Sequence, residues 1–152
     1  MNRNDFHKLF KTPGPVVLPV IHVLDSARTR RNVEVLLEAG AQGCFLINHD
    51  FKPEQFLPII RDTRAAFPSL WMAVNFLAVT GKDAFPMLGQ LQAEGCYVDA
   101  YWADDACIDE DGANTQAHEI KNVRECSGWD GLYFGGTAFK KQREVDPNRY
   151  DD

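Results

Sequence analysis

Apolar runs of strand length recur along this chain at a nearly constant interval. They begin at residues 16, 43, 70 and 97, each 27 positions after the last, and a fifth begins at residue 131. The segments between them have the length and spacing of amphipathic helices. Runs that are apolar at nearly every position are typical of parallel strands buried on both faces. The pattern predicts an α/β protein built of repeated βα units.

The breaks in this pattern set the expected boundaries. The predicted strands are residues 16–23, 43–48, 70–76, 97–102 and 131–134, and the predicted helices are 26–39, 53–67, 82–94 and 114–126. Pro19 lies within the first run and predicts an edge or irregular strand, because proline cannot donate a ladder hydrogen bond. We expect residues 1–15 to form an arm or short capping helix, 16–139 the main domain and 140–152 a polar tail.

The equal spacing of the units favours part of a TIM barrel with about five parallel strands, because barrel strands are geometrically equivalent. A closed barrel needs roughly 200–250 residues. The 152 residues present would then form its first half. The alternative is a flavodoxin-like open sheet with strand order 2-1-3-4-5. That fold normally ends in a full fifth helix, and the sequence after residue 134 has no amphipathic segment of that length.

Composition narrows the class of protein. The chain is 45% hydrophobic and 25% charged, which fits one globular domain. A net charge of −6 argues against nucleic-acid binding, because phosphate neutralisation requires an excess of basic residues. The four cysteines occur singly, so we predict neither disulfides nor a structural zinc site. The same observation predicts a reducing, cytoplasmic location. No apolar run reaches membrane-spanning length.

Polar residues follow the predicted strands, where α/β enzymes place their active sites. His22 and His49 are the candidate acid/base residues. The alternative for each is a structural histidine or turn residue. Asp99 is the third catalytic candidate, because a carboxylate inside an apolar strand is costly unless it is paired or faces a polar pocket. Its alternative is a salt bridge in the barrel lumen.

Further polar or glycine residues at the strand ends are candidates for substrate binding. The asparagines and aspartates could instead satisfy local turns or cap strands in solvent. The glycine pair can bring backbone N–H groups to an anion, with a following lysine adding charge, although no complete phosphate-loop motif is present. The candidates are Asn48, Asp50, Asn75, Asp104, Gly135, Gly136 and Lys140.

The sequence does not identify a cofactor, and no metal site is predicted. His22, Asp25, His49 and Asp50 offer mixed nitrogen and oxygen ligands, but no spacing rule supports a metal centre. The chain also lacks a G-x-S-x-G elbow and any cysteine with an evident histidine partner. The sequence therefore gives no sign of nucleophilic catalysis.

Three stretches resemble the BtpA-type TIM-barrel proteins: WDGLYFGGTAFK at residues 129–140, LINH at 46–49 and LWMAVN at 70–75. This family is related to the ribulose-phosphate-binding barrels, is associated with photosystem I biogenesis and is often labelled phosphoribosyltransferase-like. The resemblance covers most of residues 16–140. It departs after His22, where Val23, Leu24 and Asp25 replace a Pro-rich turn. The expected second half of the barrel, which holds the superfamily's phosphate site, lies outside this sequence.

Two functions remain open. The resemblance implies a protein that binds a small phosphorylated sugar or nucleotide-like ligand, and an enzyme of this kind could be phosphoribosyltransferase-like, a lyase or an isomerase. The alternative is a non-enzymatic assembly module that forms a homo-oligomer, because a half barrel leaves two open sheet edges and an uncovered apolar face.

Overall fold

A computed structural model describes residues 3–108, 113–137 and 148. Strands and helices alternate along these residues after a short amino-terminal helix. In chain order the elements are α1 (Arg3–Phe10), β1 (Val20–Val23), α2 (Ser26–Glu38), β2 (Gly43–Asn48), α3 (Pro53–Ala66), β3 (Trp71–Phe76), α4 (Gly81–Ala93), β4 (Ala100–Ala103), α5 (Thr115–Ser127) and β5 (Leu132–Gly135).

The five strands form one parallel sheet in the order β1-β2-β3-β4-β5. The predicted α/β class and the repeated βα units are thereby confirmed. Each strand pairs with its neighbour in sequence, as consecutive strands of a TIM barrel do. The flavodoxin-like alternative is wrong, because its order 2-1-3-4-5 would place β1 between β2 and β3. The sheet of the described residues is open, with β1 and β5 at its two edges.

Local chemistry explains where the elements begin and end. Asp25 caps α2, since its carboxylate accepts a hydrogen bond from the Arg28 N–H at 2.7 Å. Pro53 occupies the first turn of α3, where its missing N–H costs nothing. Gly128 ends α5 with φ 75°, a left-handed conformation that glycine adopts without strain. These signals account for the close match between predicted and observed helices.

Two strands begin three or more residues later than predicted. β1 begins at Val20 rather than at residue 16, because Pro19 has no N–H to continue the ladder. The Pro19 carbonyl still accepts a hydrogen bond from the Phe45 N–H at 2.9 Å. β4 begins at Ala100, three residues later than predicted. This shift moves Asp99 to the amino-terminal end of the strand.

The main hydrophobic core lies between one face of the sheet and helices α2 to α5. Alternate residues of the strands point to this face, and the helices contribute their apolar stripes. We call it the helix face. Its fully buried members include Leu46, Met72 and Val74 from the sheet, and Phe56 and Leu88 from the helices.

The second face of the sheet, the open face, carries the other set of alternating residues. At its amino-terminal end Trp71, Ala73 and Ala100 form a small buried cluster. Helix α1 covers this cluster, because Phe10 lies edge-on to Trp71 with ring centroids 5.1 Å apart. Of the two forms expected for residues 1–15, an arm or a short capping helix, the structure shows a helix over Arg3–Phe10 that packs against the sheet. Among the residues described, no helix combines the length and apolarity needed to cross a bilayer.

Candidate functional site

A cavity of about 300 Å³ lies on the open face towards the carboxyl-terminal ends of the strands. This end of a parallel sheet is where α/β proteins bind their ligands. Apolar side chains form most of the wall, and three polar side chains interrupt it. The cavity is lined by Leu18, Val20, Phe45, Ile47, Leu77 and Trp102, together with His49, Asn75 and Asp104.

The two predicted acid/base residues lie next to each other. His22 is on the open face of β1, and His49 directly follows β2 on the same face. Their imidazole rings are stacked, with centroids 4.4 Å apart and an interplanar angle of 13°. Both side chains are exposed, and His49 lines the cavity. The arrangement places two proton-exchanging or hydrogen-bonding rings at the rim of an apolar space.

Asn75 and Asp104, the two polar residues predicted at the ends of β3 and β4, are hydrogen-bonded to each other. The Asn75 Nδ2 donates to the Asp104 Oδ1 at 2.9 Å. Both residues are almost fully buried, with 6% and 5% of their surfaces exposed. The alternative of a solvated strand cap is therefore wrong for Asp104. The Asn75 Oδ1 is buried and has no hydrogen-bond partner among the described residues.

Asn48 is also a predicted substrate-binding residue, and its side chain is engaged elsewhere. Strand alternation places Asn48 on the helix face and His49 on the open face. The Asn48 Nδ2 donates to the Phe51 carbonyl at 2.6 Å, and its Oδ1 accepts from the Leu77 N–H at 3.1 Å. Asn48 thus joins the loop after β2 to the loop after β3, and so positions Leu77 in the cavity wall. Asp50 is exposed in the loop after β2.

A buried tyrosine supports the same loop. The Tyr101 hydroxyl donates to the Val79 carbonyl at 2.6 Å, which holds the segment between β3 and α4 against the helix face of β4. Burial raises the pKa of Tyr101 far above its ordinary value. The hydroxyl therefore remains a hydrogen-bond donor at any physiological pH.

Asp99 does not lie with the other candidates at the carboxyl-terminal ends of the strands. It precedes β4 and accepts two hydrogen bonds through Oδ2, from Arg64 Nη2 at 2.7 Å and from the Met72 N–H at 2.9 Å. Arg64 also donates to the Leu70 carbonyl at 2.7 Å. These contacts join α3 to the amino-terminal ends of β3 and β4. Asp99 therefore lies away from the carboxyl-terminal ends of the strands, where the catalytic candidates are expected, because β4 begins after Asp99 instead of containing it.

The glycine pair after β5 is also engaged within the fold. The Gly136 N–H donates to the Ala103 carbonyl at 3.0 Å, and the Gly136 carbonyl accepts from the Ala106 N–H at 2.8 Å. A Cβ added at Gly135 would lie 2.6 Å from the Ala106 Cβ. Close packing therefore explains Gly135, and the Gly136 N–H is already used by the sheet. Lys140, the predicted cationic neighbour, lies outside the described residues.

The site residues offer little to a metal ion. Within residues 3–108 and 113–137, no three or more His, Cys, Asp or Glu side chains come together as a metal-binding group. Asp25, one of the four side chains considered as ligands from sequence, is committed to capping α2. The site is therefore an apolar cavity with hydrogen-bond acceptors in its wall and two imidazoles at its rim.

The apolar half of the site is absent from the residues predicted by sequence. Phe45 and Trp102 are predicted only as parts of buried strands, yet both line the cavity. Their rings lie edge-on with centroids 6.0 Å apart. Strand alternation is the signal that points to them, because Phe45, Ile47 and His49 share one face of β2. A candidate polar residue at the end of a strand therefore also indicates that the apolar residues two and four positions before it line the same cavity.

No family model, curated protein or solved structure compared with this chain matches it. The resemblance to BtpA-type barrels stays a prediction that rests on the quoted residues.

Proposed function

We propose that this protein binds a small nucleotide-like or phosphorylated-sugar ligand in the cavity at the carboxyl-terminal ends of its strands, with His22 and His49 as acid/base residues. The observation that carries the proposal is the convergence of His49, Asn75 and Asp104 on one mostly apolar space. A well-formed apolar pocket with a few convergent polar groups is the usual form of a small-molecule site. The resemblance to relatives of the ribulose-phosphate-binding barrels supports the same ligand class.

The charges favour one orientation of such a ligand. Asp104 is buried beside Asn75, and a phosphate placed next to its carboxylate would be repelled. The exposed, stacked imidazoles of His22 and His49 offer N–H groups to an anion at the rim. The phosphate would therefore lie outward and the uncharged part of the ligand inward. We extend the proposal to a protein that works in a reducing, cytoplasmic compartment, in keeping with its unpaired cysteines.

Calorimetric titration of the full chain with nucleoside monophosphates and sugar phosphates tests this function. We expect at least one class to bind and His49→Ala to weaken that binding by about ten-fold or more, the effect of losing one charge-assisted hydrogen bond. His118→Ala is the matched control, because His118 is an exposed histidine on α5 that does not line this cavity. Absence of binding by the whole panel, or equal binding by His49→Ala and wild type, would show the proposal to be wrong.

A second candidate function is assembly through the open face and the β1 edge. Val20 is 57% exposed on this edge strand, and Val17, in the segment before the strand, is 59% exposed. Exposed apolar groups on an unpaired strand edge favour pairing with another chain. Light scattering should then show a homodimer or larger assembly, and Val20→Glu should dissociate it. A wild-type monomer at high concentration would exclude this candidate.

A further inference from the structure

The inner wall of the cavity presents acceptors rather than donors. The Asp104 carboxylate can only accept hydrogen bonds, so the Asn75 amide must turn its Nδ2 towards it. This fixes the Asn75 Oδ1 on the other side of the amide, where it is buried without a partner among the described residues. Asp104 keeps further acceptor capacity beyond the one bond from Asn75, because a carboxylate has about four lone-pair sites. A ligand that satisfies this wall must bring hydrogen-bond donors.

The remaining wall is suited to a flat ring. Phe45 and Trp102 stand on the open face of β2 and β4, and both line the cavity. Trp102 is 37% exposed, although its strand, β4, has a neighbouring strand on each side. Aromatic side chains beside a cavity bind heterocycles by stacking. A volume of about 300 Å³ lies at the lower end of ligand cavities, so the space suits one ring system.

We infer that the cavity binds a flat heterocycle with two adjacent N–H donors on one edge, as guanine carries at N1 and at its exocyclic amine. Asp104 accepts from both donors of this edge, and Trp102 packs against the ring. The inference rests on the proposed function and names the part of the ligand that enters the cavity. A sugar phosphate attached to the ring would extend towards His22 and His49 at the rim.

Three purine nucleotides differ in the hydrogen-bonding groups that they carry on this edge of the ring. Guanosine 5′-monophosphate presents both donors. Inosine 5′-monophosphate keeps the ring N–H and lacks the amine. Adenosine 5′-monophosphate presents an unprotonated ring nitrogen, which the carboxylate would repel. Loss of one hydrogen bond to a charged group should weaken binding by roughly ten-fold or more. We therefore expect the affinities to fall in the order guanosine, inosine and adenosine.

The experiment is titration calorimetry of the full chain with these three nucleotides and with ribose 5-phosphate. Asp104→Asn should weaken guanosine nucleotide binding at least ten-fold, and Trp102→Ala by roughly 5- to 150-fold, the range for a lost stacking contact. Asp83→Asn is the control, because it makes the same change at an exposed position on α4. If Asp104→Asn fails to fold, the order of the three nucleotides on the wild-type chain still decides the question.

The outcomes separate the two proposals. Equal affinity for the guanosine and adenosine nucleotides would overturn the donor-edge inference. So would binding of ribose 5-phosphate that depends on His49 while the guanosine nucleotide fails to bind, and in that case the proposed function stands. If none of the four compounds binds, and the wider panel also fails, both proposals are overturned.

Discussion

Replacing Asp99 with alanine removes the acceptor that joins α3 to the amino-terminal ends of β3 and β4. The Asp99 Oδ2 accepts from Arg64 Nη2 at 2.7 Å and from the Met72 N–H at 2.9 Å. The two side chains of the ion pair are 12% and 23% exposed, so water screens the pair only partly. After the substitution Arg64 keeps the carbonyls of Tyr97 and Leu70 as acceptors. The Met72 N–H loses its Asp99 carboxylate acceptor.

The contacts set the size of the effect. Breaking a fully buried ion pair costs about 3–5 kcal/mol, and the remaining exposure and the retained carbonyls reduce that figure. A buried N–H left without a partner adds about 1–3 kcal/mol. We expect Asp99→Ala to lower the free energy of unfolding by about 2–4 kcal/mol. At a urea dependence of about 2 kcal/mol per molar, the middle of the usual range, the unfolding midpoint should fall by roughly 1–2 M.

Urea unfolding followed by circular dichroism measures this change, and nucleotide titration of the same variant separates stability from binding. Glu119→Ala is the control, because it breaks an ion pair to Lys82 whose side chains are about half exposed. Its midpoint should stay within experimental error. If Asp99→Ala kept the wild-type midpoint but lost nucleotide binding, Asp99 would belong to the ligand site and the structural reasoning would be refuted.

Two further predictions use matched pairs. Tyr101→Phe should lower the free energy of unfolding by about 1–2 kcal/mol, because it leaves the Val79 carbonyl without its hydroxyl donor. Tyr133→Phe should leave stability unchanged or raise it, since the Tyr133 hydroxyl is buried without a hydrogen-bond partner among the described residues. Chemical denaturation of both variants measures the two free energies of unfolding. Equal losses of stability in Tyr101→Phe and Tyr133→Phe would contradict this prediction. At pH 8 a thiol reagent should label exposed Cys126 quickly and buried Cys44 only on unfolding, because burial raises the pKa of Cys44 from 9.0 to about 12. Rapid labelling of native Cys44 would refute the burial argument. Since unfolding restores the ordinary pKa, the stability contributed by the protonated Cys44 is complete below about pH 9 and declines as the pH rises towards 12.

Several features of the site are visible in the sequence because they depend on neighbours along the chain. Parallel strands of α/β proteins carry their functional polar residues at the carboxyl ends, which is enough to select His22, His49 and Asn75. The same rule selects Asp104. Side chains alternate along a strand, so only one of Asn48 and His49 can face a given side of the sheet. Neither signal states which face receives the helices.

Pairings between residues distant in sequence came only from the structure. The hydrogen bond between Asn75 and Asp104 joins residues 29 positions apart. It forms because β3 and β4 are parallel neighbours and both residues end up on the open face. The displacement of Asp99 has the same origin. The pairing of Ala73 with Ala100 starts β4 after Asp99, which leaves the carboxylate at the end where Arg64 arrives from α3.

The sequence by itself determined the α/β class, the number of βα units and most helix boundaries, because hydrophobic period, capping residues and proline act over a few residues. The tertiary structure decided the strand order, the stacking of His22 on His49 and the separation of Asp99 from the cavity. These depend on register between strands and on which face the helices cover. Such choices are settled by the packing of the whole core, since a shift of one residue would exchange the two faces of a strand.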